Sequence, residues 1–276
     1  MRLAKFLSLF IFGALLMTSC LDSEPLQSEV EEEEVVNYLN AKGLPYTRDD
    51  YGFFYNIESV GSGDAIVDTS IVLFNYKSVN FYGTTVTDSI DLTKVVYNLP
   101  IALRISMARL KVGGEASIYI PSYMNNSQGA LAVKLKAKER FKDQATADDT
   151  LIVRHLRTLH DTISTGVVKD SRGFYYKIKK EGTGSRPTAD SLVNVQYTGM
   201  LLDSTIFDQT KGSNTYTNYL SRLINGWQLG VPLLKEGGEG TFYFPSALGY
   251  GATSTSKIPA NSVLIFDIKL VDVKLN

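Results

Sequence analysis

The chain has 276 residues, more than the roughly 100 to 150 of a usual single domain, so two domains are expected. Hydrophobic residues at 44%, with 16 Tyr and 13 Phe, point to globular, sheet-rich structure and exclude a disordered or fibrous chain. A net charge of -1 from 28 basic and 29 acidic residues, with no basic run past the first positions, supplies no electrostatic footprint for nucleic acid.

At the start, Arg2 and Lys5 flank a nearly all-apolar run over residues 6–17, and small residues lead to Cys20, the single cysteine. The run is shorter than the ~18 apolar residues of a spanning helix and reads as an export signal. A lone cysteine excludes an internal disulfide, so its place just after the apolar run becomes the informative fact. Residues 1–19 with Cys20 resemble a bacterial lipoprotein signal peptide. That resemblance implies lipidation of Cys20 after cleavage and membrane attachment through the N-terminal lipid only. With Leu21 next, it points to a cell-envelope protein of the outer membrane, the leaflet left open. An ordinary secretory peptide with an incidental cysteine is the alternative.

Residues 20–47 follow as an acidic tether and short helix. Four consecutive glutamates end the solvated part at Glu34 and favour the N-terminus of a helix through Val35, Val36, Tyr38 and Leu39, which Gly43 stops.

An internal repeat organises the rest. YGFFYNIESVGSG from Tyr51 matches RGFYYKIKKEGTG from Arg172, and the register holds without a gap to Tyr76 against Tyr197. GGEASIYIPS from Gly113 matches GGEGTFYFPS from Gly237, and DTLIVRHL from Asp149 is paired with NSVLIFDI from Asn261. Two copies of one fold are implied, over residues 48–162 and 163–276. Within each, short runs of Tyr, Phe, Val and Ile separated by Gly, Asp, Ser and Asn read as antiparallel strands. In the last run Leu264, Phe266, Ile268 and Leu270 share an apolar face opposite Asp267 and Lys269, and residues 225–234 hold the best short helix of the second copy. LAVKLKAKERFK, from Leu131, reads as an exposed helix in a longer stretch, Tyr123 to Asp149, that replaces the second copy's YG loop.

The second copy carries VQYTGMLLDSTIFD from Val195, INGW from Ile224, LGYGA from Leu248 and KIPANSVLIFDIKL from Lys257. In that order and spacing these motifs resemble the FKBP-type peptidyl-prolyl cis-trans isomerases. The resemblance implies an α+β class: two tandem FKBP-like domains, each a bent antiparallel sheet wrapped around a short helix. It implies catalytic roles for Tyr197, Phe207, Asp208, Trp227, Tyr250 and Phe266, with Trp227 as the floor under the proline ring. Leu223, Ile224 and Ile258 are the implied substrate-binding residues, with the Ile224 N–H bonding a substrate carbonyl. The implied partners are proline-containing unfolded or exported proteins, with a macrolide as a further ligand class. Taken singly, each of these aromatics has core filling as its bland reading.

The chemistry suits such residues. Rotation about X-Pro crosses a barrier of roughly 18 to 20 kcal/mol raised by amide resonance, and twisting removes much of the charge separation. An apolar, water-poor pocket therefore favours the twisted amide, and no nucleophile, metal or cofactor is required. His155 and His160, the only histidines, read as lying in or near a strand without cysteine partners, so no metal site is expected. In the first copy Val86, Thr87, Leu103 and Arg154 stand for Phe207, Asp208, Trp227 and Phe266, so that copy is expected not to isomerise proline. A non-catalytic binding module or holdase chaperone, with both copies presenting apolar surface to clients, is the rival reading.

Overall fold

The computed structural model describes residues 25–125, 129–161 and 163–274. The signal segment 1–19 and Cys20 lie outside them. Among the described residues, no helix is long and apolar enough to cross a membrane.

The chain forms two antiparallel sheets in an α+β architecture. The first holds β1 (Thr47–Arg48), β2 (Phe54–Ser59), β3 (Ile71–Asn80), β4 (Thr85–Val95), β5 (Glu115–Ile120) and β6 (Leu131–Phe141), in the order β1-β2-β5-β6-β3-β4. The second holds β7 (Val168–Lys169), β8 (Tyr175–Lys180), β9 (Leu192–Met200), β10 (Ile206–Gln209), β11 (Tyr216–Tyr219), β12 (Glu239–Phe244) and β13 (Leu264–Lys274). Its order is β10-β9-β13-β12-β8-β7, with β11 also beside β9. Each sheet curls around a short helix, α2 (Ile101–Ala108) in the first and α4 (Asn225–Gly230) in the second, and each pair encloses one core.

The two cores solve one packing problem with opposite volumes. In the second, Gly226 and Gly230 let α4 lie on Phe242 and Phe244; a Cβ on Gly226 would stand 2.6 Å from the Phe244 ring. In the first, Ala102 and Ser106 take the helix positions and Ile118 and Ile120 the strand positions, all of them buried. Small against large is exchanged for medium against medium, which keeps interior density.

Four expectations are corrected. Residues 149–156 are not the last strand of the first copy: they lie in α3 (Gln144–Thr158), which Asp143 caps by accepting from the Thr146 N–H at 2.8 Å. His155 is accordingly a helical residue. LAVKLKAKERF is not an exposed helix but β6, with Val133, Leu135 and Ala137 buried and Lys134, Lys136 and Lys138 exposed in strict alternation. Val133 pairs with Ile118 and Ser78, just as Phe266 pairs with Phe242 and Gly199, so Val133 stands for Phe266. Arg154 is on α3 and pairs with Glu139, so it does not take the place of Phe266 in the first core. The connection from β5 to β6, residues 121–130, is shorter than its counterpart 245–263, not longer.

The acidic run is also structured. The glutamates lie inside α1 (Gln27–Ala41), where Glu32 pairs with Arg48 at 2.7 Å and Glu31 accepts from the Ser122 hydroxyl and, at 2.8 Å, from the Tyr123 N–H. The bond from Ser122 leads in holding the Glu31 carboxyl below its ordinary range. Helix α1 lays Val35 and Leu39 on Phe54 and Tyr119, covering the outer face of the first sheet. Helix α3 does the same for the second, laying Ile152 and Leu156 on Tyr175, Tyr243 and Ile265. Each such side chain contributes about 1.5–3 kcal/mol through burial. Because α3 covers it, β13 is apolar on both faces around Ile265, where strict alternation predicts polarity.

Candidate functional site

The second unit opens a cavity of about 420 Å³ between the sheet, α4 and the 245–263 flap, within the range of small-ligand sites. Its floor is the Trp227 indole, on the first turn of α4. Tyr197 from β9 meets it edge-on with centroids 5.1 Å apart, and Phe266 from β13 does so at 5.3 Å. Phe207 closes the far wall against Phe266 at 5.5 Å and 83°. Perpendicular rings of this kind place positive edges on negative faces, which holds each ring in one orientation.

Backbone features aim these rings. Phe207 is the extra residue of a β-bulge, since Ile206 pairs with Met200 while Asp208 pairs with Gly199. Gly199 makes room for both phenyl groups: a Cβ there would sit 2.6 Å from Phe207 and 2.8 Å from Phe266. The bulge persists in the first unit at Val86, between Thr85–Val79 and Thr87–Ser78. There the side chain is 52% exposed, against 6% for Phe207.

The rim is polar. The Tyr197 hydroxyl donates to Asp208 Oδ2 at 2.5 Å, and the Gln209 N–H donates to Oδ1 at 2.9 Å. Burial, and then the bond to Asp208, pushes the Tyr197 phenol above its ordinary range, so it stays protonated and donating. The flap contributes Tyr250, 43% exposed at the mouth, and buried Ile258. Opposite them stand Leu223 and Ile224, at the approach to α4. Neither the Ile224 N–H nor the Tyr250 hydroxyl has a partner among the described residues, and both residues line the cavity.

All nine residues singled out from the sequence as catalytic or substrate-binding thus line one cavity. The cavity is also lined by Tyr216, whose ring meets Tyr197 at 6.0 Å, and by Lys257, Thr255 and Ser256, the last two of which sequence reasoning missed. Strand β11 begins at Tyr216 after a loop that the first unit lacks, which obscured its register. Lys257 turns back to donate to the Phe207 carbonyl at 3.1 Å, tying the flap to the bulge.

Among the described residues, the first unit has no such arrangement. Leu103 replaces the indole, Val133 replaces Phe266, and both are buried in its core. Pro100 occupies the position of Ile224 before the helix and has no N–H to offer.

Residues 184–271 match the family model described as FKBP-type peptidyl-prolyl cis-trans isomerase. A probable FKBP-type peptidyl-prolyl cis-trans isomerase FkpA of Neisseria meningitidis serogroup B is 42% identical over 140 residues, 50% of this chain and 51% of its own length. The outer membrane protein MIP of Legionella longbeachae is 39% identical over 111 residues, 40% of this chain and 48% of its own. The crystal structure of FkpA from Escherichia coli is 31% identical, covering 48% of this chain and 62% of its own, with a TM-score of 0.42. The chain spans about half the length of the curated relatives it matches. Residues 184–271, which contain every side chain of the aromatic cavity, are the part of the chain that matches the FKBP-type peptidyl-prolyl cis-trans isomerase family model.

Proposed function

We propose that this chain is a peptidyl-prolyl cis-trans isomerase of the cell envelope that assists folding of exported, proline-containing proteins. The observation that carries the reading is the ring-walled cavity over Trp227, lined also by Ile224 and Tyr250, whose N–H and hydroxyl have no partner among the described residues. A proline ring fills the space above the indole, and the Ile224 N–H holds a substrate carbonyl. Around the imide, Tyr197, Phe207 and Phe266 exclude water, which penalises the planar, charge-separated amide more than the twisted one. Asp208, fixed by Tyr197 and Gln209, orients the phenol at the rim, and Tyr250 donates to the substrate amide. Bonds rotate and none breaks, so the residues present suffice for the step.

The catalytic domain in this reading is residues 163–276, and residues 48–162 form a degenerate domain without isomerase activity. Support for the second statement is Leu103, Val133 and Pro100 at the three positions that matter most. The exposed Tyr82, Val86 and Tyr97 favour a binding role for that domain. A lipid on Cys20 would hold the protein at the outer membrane, a reading that rests on the first 20 residues and on the name of the Legionella relative.

The test is cis-trans exchange of a short proline peptide, followed by NMR with catalytic amounts of the full chain. Acceleration that a macrolide of the class binding this family abolishes is the expected result. No acceleration by the folded wild type overturns the enzymatic reading.

A further inference from the structure

The repeat includes more than the two sheets. Glu31 of α1 grips Ser122, the serine of the IPS segment after β5, and Asp148 of α3 grips Ser246, the serine of the matching FPS segment after β12. Both Ser246 donors point at Asp148 Oδ2, the N–H at 2.8 Å and the hydroxyl at 2.7 Å, while the Gln144 amide donates to Oδ1 at 2.7 Å. Asp148 and Ser246 are each 1% exposed.

What the two latches hold differs. In the first unit the serine starts the short 121–130 connection. In the second it starts the flap that carries Tyr250, Lys257 and Ile258 over the cavity. The Ser246 carbonyl accepts from Gly249 at 2.9 Å and from Gly251 at 2.8 Å, and the Gly251 carbonyl accepts from Asn261 at 2.7 Å. One end of the flap is thereby tied to the other. Val263, at the far end, packs with Ile152 and Leu156 of α3. Helix α3 thus grips both roots of the flap, while Leu151 and Ala147 pack it against Leu73 and Phe141 of the first sheet.

We infer that Asp148 is a positioning residue for the isomerase cavity: by latching Ser246 it sets the flap, and through α3 it makes the cavity's closure depend on the helix between the two sheets. This rests on the isomerase reading for its functional half only. Burial lifts the Asp148 carboxyl above its ordinary range despite three bonds, so a neutral acceptor of the same shape suits the site.

The experiment compares full-chain Asp148→Ala, Asp148→Asn and Glu31→Ala with wild type. Amide hydrogen exchange is read across the molecule, and proline-peptide affinity through the fluorescence of Trp227, the only tryptophan. In Asp148→Ala the Gly249, Gly251 and Asn261 amides exchange about tenfold faster while those of Phe242 and Phe266 keep their protection, and peptide Kd rises about tenfold. Asp148→Asn restores both, with the Gln144 amide flipped to accept, and Glu31→Ala changes neither. Unchanged flap exchange in Asp148→Ala, a uniform rise across β12 and β13, or failure of Asn to rescue overturns the inference. A wild type that does not accelerate proline exchange overturns the isomerase reading instead, and the exchange data still decide the latch.

Discussion

Trp227→Leu lowers kcat/KM for a proline peptide by about tenfold to a hundredfold while the chain stays folded. The magnitude follows from losing aromatic contact worth about 1.5–3 kcal/mol at the rotating imide, at about 1.4 kcal/mol for each factor of ten. Leucine is the informative replacement because the first unit already carries Leu103 at that position on α2, buried at 7% exposure in an intact core. Alanine would open a larger void and cost about 3–5 kcal/mol, mixing lost stability with lost catalysis. Circular dichroism and thermal unfolding establish the fold of the variant, and NMR exchange gives the rate. Wild-type activity in Trp227→Leu would remove the indole from the mechanism. Suppression of client aggregation belongs in the same experiment: undiminished suppression beside lost isomerisation assigns client binding to surfaces other than the cavity, such as Tyr82 and Tyr97 of the first unit.

The cavity was largely legible in the sequence because its residues are bound to motifs of fixed spacing: Phe207 and Asp208 within one strand, Ile224 to Trp227 across one helix start. The repeat was legible where the backbone demands the same residues twice, as with Gly61 and Gly182, whose added Cβ would meet backbone at 2.5 and 2.4 Å. Failure came where propensity and pattern disagreed. Ala, Lys, Leu and Glu in residues 131–141 favour helix, yet their period of two, buried Val133, Leu135 and Ala137 against exposed lysines, decides for strand. Residues 149–156 look β-branched, yet Ala147, Asp148, Ile152 and Leu156 fall on one helical face behind the Asp143 cap. Pairing that helix with the last strand then misplaced Arg154 in a core. The latch was illegible for a different reason: a carboxylate and a serine 98 residues apart meet only once α3 lies on the second sheet.

Gly199→Ser should abolish most isomerase activity, and Phe266→Val should partly repair the stability it costs. At the equivalent position the first unit has Ser78, 3% exposed, facing Val133 rather than a phenyl ring. Placing a Cβ at Gly199 without relief drives it into Phe207 and Phe266 at 2.6 to 2.8 Å, and overpacking of this kind costs about 1–3 kcal/mol. Phe266→Val alone leaves a void and costs about 2–4 kcal/mol. Together the two changes recreate the Ser78–Val133 pairing of the first unit and remove the contact with the Phe266 ring, leaving only Phe207 to shift, so the double variant should be more stable than the sum of the singles by about 1 kcal/mol, the coupling expected of residues in contact. Denaturant unfolding of the four chains measures this coupling, and strict additivity would show that the rings move aside freely. Activity should not return with stability, because the smaller valine side chain in the double variant restores packing without restoring the wall. That separation expresses the physical difference between the two units: one sheet and one bulge serve both, and ring volume over a glycine decides which of them keeps a cavity.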